Sequence, residues 1–208
     1  FDLNKETINK ISRDDVISLL YYFGYLTLKT SIGNINTFVI PNKVINDVFN
    51  RYFLNILEEN NIIIDTKVLT ECMTEMITSG NINKLSNYVS DILKKASNRN
   101  LINFDEKYIK LIYKCLLTLM NIYNVFDEYE VNNGYIDLYF QKRDINVNYD
   151  ILIELKYLKK KDKRQYNKVK LEAINQINNY ILDDRINKEN LKKYIVVFIG
   201  GDYKLTEI

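Results

Sequence analysis

Three ionisable residues in the second half of the chain have the types and spacing that phosphodiester cleavage requires. Asp137 lies in segment 135–140, and Glu154 and Lys156 lie in segment 149–157. Both segments show the apolar alternation of β-strands, in which residues two apart point to the same face. If the two strands pair, we expect the two carboxylates and the amine to meet on one side of a sheet.

Such a centre can bind a divalent cation and use it in hydrolysis. Carboxylate oxygens suit Mg²⁺ or Mn²⁺, and the carbonyl oxygen of Leu155 is a further candidate ligand. The ion acidifies a bound water, and Lys156 can orient that water or stabilise the charged transition state. A Glu-x-Lys pair is also common on solvent-facing strands. The functional interpretation therefore depends on the apolar strand and on its Asp-bearing neighbour.

The residue types that are missing narrow the possible chemistry. The sequence has no histidine, which excludes Ser-His-Asp hydrolysis, Cys-His proteolysis and His-ligated zinc. Cys72 and Cys115 are isolated, which favours reduced core thiols and a cytoplasmic setting. No stretch approaches 18 uncharged apolar residues, so we expect no membrane span.

A basic run begins at the predicted catalytic strand. The net charge is only +2, but residues 156–170 contain eight Lys or Arg residues against the single acid Asp162. By itself such a run is typical of a solvated loop and helix start. Beside a catalytic strand, it predicts phosphate contacts with nucleic acid by Lys159, Lys160, Lys161, Lys163 and Arg164.

The second half has the element order α-β-β-β-α-β, which predicts an α/β fold. The periodicity predicts helices and strands, with a hairpin turn at Asn132–Gly134 between the first two strands. The helices are expected at 105–122 and 165–182, and the strands at 125–131, 135–140, 149–157 and 194–200.

The first half is predicted to be mainly helical. A helix at 14–23, a hairpin around the turn-like segment 30–37, and a helix at 43–59 give a winged-helix-like outline. Helices at 66–78 and 82–97 follow, and the polar segment 96–103 resembles a linker. We therefore predict a winged-helix-like region at 1–100 and a catalytic domain at 101–208.

The motifs GYID (134–137) and IELK (153–156), within this element order, resemble the PD-(D/E)XK nuclease superfamily. The resemblance implies a restriction-endonuclease-like core that acts on nucleic acid, DNA more than RNA. It implies that Asp137 and Glu154 bind the metal and that Lys156 acts on the attacking water. Gln176 and Tyr180 match the QxxxY motif of RecB-like members, which supports the site or contacts the nucleic acid, and Glu130 is a further candidate metal ligand.

Much of the chain is similar to bacterial proteins in which an AAA-type ATPase-like region precedes a nuclease domain of this superfamily. With Phe1 rather than Met at its start, we expect a fragment that lacks the ATPase-like region. Two positions depart from the relatives: Tyr135 replaces a basic residue, and Ile109–Lys110 replaces a Tyr-His pair. The alternative is a catalytically inactive member of the same fold that binds nucleic acid or a protein partner.

Overall fold

A computed structural model describes residues 12–97 and 105–208. Contacts divide the chain into two compact units between Tyr52 and Phe53. Every helix in the described ranges falls short of the length and apolar content needed to cross a bilayer.

The first unit contains a helix, a hairpin and the beginning of a second helix. The first helix, α1 (Arg13–Tyr22), starts with a capping box. The Ser12 hydroxyl oxygen accepts a hydrogen bond from the Asp15 N–H, and the Asp15 carboxylate accepts one from the Ser12 N–H. The hairpin turn is confined to Gly33 and Asn34, with Gly33 at φ 58°, so most of segment 30–37 is strand rather than turn. The winged-helix assignment stays a prediction. The other elements are β1 (Thr27–Ile32), β2 (Ile35–Val39) and α2 (Lys43–Glu59).

The second unit begins with three further helices packed into one core. They are α3 (Thr66–Ser79), α4 (Asn83–Ser97) and α5 (Glu106–Met120). Asp65 and Asp105 cap α3 and α5 by accepting backbone N–H groups. The predicted linker falls largely on residues 98–104, which lie outside the described residues. Helices on both sides of it share one apolar cluster, so contacts divide the chain at residue 52 and not near residue 100.

A mixed five-stranded sheet forms the rest of the second unit, in the order β3 (Tyr123–Val131), β4 (Gly134–Lys142), β5 (Asp150–Leu158), β6 (Leu191–Ile199) and β7 (Asp202–Glu207). Strands β5 and β6 are parallel, and all other neighbours are antiparallel. The predicted α/β class and the α-β-β-β-α-β order are confirmed, while a 3-10 helix and β7 are additional. The remaining elements of the second unit are the 3-10 helix (Lys160–Gln165) and α6 (Tyr166–Tyr180).

Both faces of the sheet are covered, as strands with long apolar runs require. Leu138 and Phe140 pack in the cluster that contains residues of α3, α4 and α5. Strict alternation along β4 would place Ile136 on that same face. Ile136 instead packs with Tyr139 in the second cluster, which contains residues of α6. The alternation thus breaks at Asp137. Opposite this residue in β3 is Glu128, whose φ of 52° departs from strand geometry.

Candidate active site

The ladder between β4 and β5 ends where the candidate catalytic acids begin. Leu138 pairs with Ile153, while Asp137 lies just before this pair on β4 and Glu154 just after it on β5. Asp137 Oδ2 accepts a hydrogen bond from the backbone N–H of Leu155 at 2.9 Å. A side-chain carboxylate therefore connects the two strands at this point.

Glu154 and Lys156 lie beside this carboxylate. Lys156 Nζ is 2.6 Å from Glu154 Oε1 and 3.9 Å from Asp137 Oδ2. Asp137 and Glu154 are almost completely buried, at 7% and 1% exposure. The structure therefore brings together the three groups that the sequence analysis singled out.

One oxygen of this centre lacks a partner. Glu154 Oε2 is buried, and no donor within residues 12–97 and 105–208 contacts it. Burial, and next the charge of Asp137, raise the pKa of Glu154 to about 8, although Lys156 opposes the shift. Burial would lower the pKa of Lys156, but the carboxylates of Glu154, Asp137 and Glu106 together outweigh burial and raise this pKa. The ammonium group of Lys156 therefore does not fully compensate the burial of an ionised Glu154 carboxylate beside Asp137.

Lys110 of α5 is a second lysine at the centre, to which the sequence analysis gave no role. Its Nζ donates to Asp137 Oδ1 at 3.0 Å, contacts the Glu128 carboxylate and lies 3.9 Å from Glu106 Oε1. Burial acts to lower the pKa of Lys110, but the hydrogen bonds to Glu128 and Asp137 raise it overall. The available signal was a lysine between Ile109 and Ile112 on the apolar face of a helix.

The β3 acid that reaches the centre is not Glu130, the one named from the sequence, and an acid of α5 lies near the centre as well. Glu130 is exposed and lies opposite Tyr135 in the hairpin, whereas Glu128 is the β3 acid that reaches the centre through Lys110. Glu106 is half-buried, and burial followed by the charge of Asp137 raises its pKa. Glu106 therefore belongs electrostatically to the centre, while Glu130 stays a prediction as a metal ligand.

Gln176 and Tyr180 lie one turn apart on α6. Gln176 Nε2 donates to Tyr180 Oη at 3.4 Å, and Tyr180 is buried. Burial, and next the charge of Glu154, raise the pKa of Tyr180. A Cβ on Gly134 would lie 3.1 Å from Tyr180 Cε1, so the glycine permits the ring to pack against the hairpin. The pair thus borders the acidic centre and supports the strand that carries Asp137.

The predicted phosphate-binding residues follow directly after strand β5. They follow Leu158 and lie at the entry to and within the 3-10 helix, in a segment whose sequence is typical of a loop and a helix start. All of them are exposed: Lys159, Lys160, Lys161, Lys163 and Arg164. Their ammonium and guanidinium groups are therefore accessible to a polyanion.

The donor set suits a hard divalent cation. Within the described ranges, no group of three or more His, Cys, Asp and Glu side chains is arranged to hold a metal. Of the predicted ligands, Asp137 and Glu154 are two such side chains that lie together, with the Leu155 carbonyl as a third protein oxygen, while Glu130 is exposed in the hairpin. The unpartnered Glu154 Oε2 is the atom that a cation would satisfy. The residues present therefore fit Mg²⁺ or Mn²⁺.

Comparison with known proteins agrees with this geometry. A family model described as the PD-(D/E)XK nuclease superfamily matches residues 104–207, half of the chain. No curated protein matches the chain. The matched half contains the whole sheet, Lys110 and the acidic centre. The chain belongs to the PD-(D/E)XK nuclease superfamily.

Proposed function

We propose that this protein hydrolyses phosphodiester bonds of nucleic acid, with DNA as the expected substrate, and that it depends on Mg²⁺ or Mn²⁺. One observation carries the proposal: beside a second carboxylate and a lysine, Glu154 Oε2 is buried, and no donor in the described part of the chain contacts it. Burying a carboxylate oxygen without a partner is costly. A divalent cation supplies the missing charge, and superfamily membership supports the same chemistry.

Asp137, Glu154 and the Leu155 carbonyl would hold the ion. The bound ion supplies Lewis acidity toward a phosphate oxygen and acidifies a water molecule. Lys156 Nζ has three donors and uses one on Glu154, so the others can orient the attacking water or neutralise a phosphate oxygen. Asp137 Oδ2, which the Leu155 N–H fixes, keeps a lone pair for coordination. The burial of both carboxylates limits competing water.

Substrate affinity is assigned to the exposed basic residues after β5. Lys159, Lys160, Lys161, Lys163 and Arg164 would contact phosphates on either side of the scissile bond, so binding should weaken as salt rises. Gln176 and Tyr180 would support the centre from α6. Phosphate contacts serve DNA and RNA alike. The choice of DNA therefore needs a direct test with both polymers.

The second candidate is a catalytically inactive module that binds nucleic acid or a protein partner. This candidate is favoured because both carboxylate oxygens of Asp137 already accept a hydrogen bond. Lys110 donates to Oδ1 and the Leu155 N–H donates to Oδ2. In this case the basic residues would still retain nucleic acid at low salt. Metal ions would then have no effect on the substrate.

Incubation with single- and double-stranded DNA and RNA distinguishes the two candidates. We expect cleavage of DNA with Mg²⁺ or Mn²⁺, none with EDTA, and a loss of at least about a hundredfold in Lys156→Ala, since it removes an electrostatic stabiliser. Lys192→Ala is the matched control, because Lys192 forms an ion pair of the same 2.6 Å length with Glu207 away from the centre.

The controls make the outcome unambiguous. Loss of activity in Lys192→Ala as well would indicate damage to the fold rather than to catalysis. Retention of all four polymers without cleavage under any metal condition would favour the inactive module. Cleavage that persists in EDTA would contradict the proposed role of the ion.

We also propose the broader setting that the sequence indicates. Residues 101–208 would act as the catalytic domain, residues 1–100 as the end of an ATPase-like module, and the complete protein would contain the ATPase-like region. Cys72 and Cys115 are both buried and are not joined in a disulfide, which supports a reducing, cytoplasmic setting. Expression of the longer chain, with nuclease activity measured with and without ATP, tests the association.

A further inference from the structure

Lys110 is surrounded by carboxylates at a place where a nuclease centre could accept another cation. Its Nζ lies 3.0 Å from Asp137 Oδ1, in contact with Glu128 and 3.9 Å from Glu106 Oε1. The Lys110 side chain is only 9% exposed, whereas that of Glu128 is 56% exposed. The ammonium group is therefore held inside the centre, and the acids converge on it from three elements.

The backbone holds this arrangement in place. Glu128 has a φ of 52°, which residues with a Cβ rarely adopt, and it lies opposite Asp137 between two paired positions of β3 and β4. Asp105 caps α5, which carries Lys110 one turn beyond Glu106. The ammonium group thus has a defined position between the first helix of the matched region and the first two strands.

The charges around the centre leave room for one divalent ion. Four carboxylates face two ammonium groups, which leaves two negative charges when all of them are ionised. The carboxylates are Glu106, Glu128, Asp137 and Glu154, and the ammonium groups are Lys110 and Lys156. One Mg²⁺ or Mn²⁺ neutralises that excess, while a second ion would place two positive charges in excess in a buried site.

We propose that Lys110 occupies the position of a second cation and restricts the centre to a single divalent ion. This inference rests on the metal-dependent function proposed above. The ion is held on the Glu154 side of Asp137, and Lys110 neutralises the other oxygen of that carboxylate. Replacing Lys110 by a neutral residue removes one positive charge and releases the two carboxylates that it contacts most closely, Asp137 Oδ1 and Glu128, as ligands for another ion.

Counting bound Mn²⁺ without nucleic acid tests this role independently of catalysis. Titration calorimetry and electron paramagnetic resonance on the full chain should give one Mn²⁺ in the parent and two in Lys110→Gln. Lys110→Arg keeps the charge and should give one. Lys114→Gln is the matched control, because Lys114 lies one turn further along α5 and donates to Asp127 at 2.8 Å, with its side chain 15% exposed.

Each outcome separates this inference from the proposed function. Two ions in the parent, or one ion in a folded Lys110→Gln protein, would overturn the role of Lys110 while leaving metal dependence intact. No ion in the parent would overturn metal dependence itself, and the inference with it. If Lys110→Gln does not fold, as judged by circular dichroism, Lys110→Met provides the neutral variant and must bind two ions.

Discussion

Strand β5 carries one buried carboxylate at its first residue, Asp150, and another at its middle residue, Glu154, and their hydrogen-bond partners differ. At the start of the strand, both oxygens of Asp150 are bonded: Lys142 N–H donates to Oδ1 at 2.7 Å and Tyr139 Oη donates to Oδ2 at 3.2 Å. Four residues later, Glu154 has one oxygen paired with Lys156 and one without a donor among the described residues.

This difference distinguishes a structural acid, Asp150, from the acid for which we propose a function, Glu154. Asp150 and Glu154 are each 1% exposed, so burial alone does not distinguish them. A buried carboxylate with both oxygens bonded to neutral donors fixes the position of its neighbours. A buried carboxylate with a bare oxygen destabilises the fold until something binds it. The chemistry of the sheet is therefore expected at Glu154, in the middle of β5.

Glu154→Gln should show the largest effect, because it removes the unsatisfied charge and a metal ligand together. We expect Mn²⁺ affinity to fall by more than about a hundredfold, since changes to outer partners alone cost up to that much. The metal-free variant should be more stable than the parent. Calorimetry and urea unfolding measure the two effects.

The pH dependence of the unfolding free energy provides a second test of Glu154→Gln. The pKa of folded Glu154 is raised to about 8, above its ordinary value of 4.5. Between these values the folded state holds a proton that the unfolded state releases, so the metal-free parent loses stability as pH rises through this window. Glu154→Gln should lack this slope. Glu172→Gln, an exposed glutamate of α6, should behave like the parent.

Asp150→Asn should have the opposite effects to Glu154→Gln, with lower stability and unchanged Mn²⁺ affinity. The amide retains one acceptor oxygen but offers a donor where a second acceptor is needed, so we expect a loss of about 1 to 2 kcal/mol in unfolding free energy. Mn²⁺ affinity should not change, because Asp150 contacts only Tyr139 and Lys142 in the described hydrogen bonds. A large loss of Mn²⁺ binding in this variant would remove the distinction between the two buried carboxylates of β5.

The part of the site that local pattern determines was predictable from the sequence. Alternation places Glu154 and Lys156 on one face, and a neighbouring strand with Asp137 brings the third group to them. The order of helices and strands followed from periodicity and turn residues in the same way. Strand β7 was missed because its six residues, DYKLTE, have little apolar content. It forms by pairing with β6 after the turn at Gly200 and Gly201.

Lys110 and Glu128 could not be assigned because their roles arise from tertiary structure. The sequence places Lys110 on an apolar helix face, but only the packing of α5 shows that it meets Asp137. In β3, alternation gives Glu128 and Glu130 the same orientation, and resemblance favoured Glu130. The left-handed backbone at Glu128 gives that residue its distinct position. No single-sequence pattern encodes such a departure from strand geometry.

Asp183→Asn should have a smaller effect, and it extends the comparison to a third buried acid. Asp183 accepts from Arg185 Nε and Nη2, from the Arg185 N–H and from the Asn132 N–H. These bonds, led by those from the Arg185 side chain, hold the pKa of Asp183 well below its ordinary range, in the direction opposite to Glu154.

The sign of this shift fixes where its contribution to stability appears. A lowered folded pKa means that Asp183 stabilises the fold above its ordinary pKa, and that this contribution is lost as pH falls toward the folded value. The parent should exceed Asp183→Asn in unfolding free energy at neutral pH, and the gap should close on acidification, as urea unfolding across pH can measure. Asp184→Asn, at the exposed neighbouring position, is the control. A gap that stays constant with pH would mean that Asp183 contributes through packing and not through its charge.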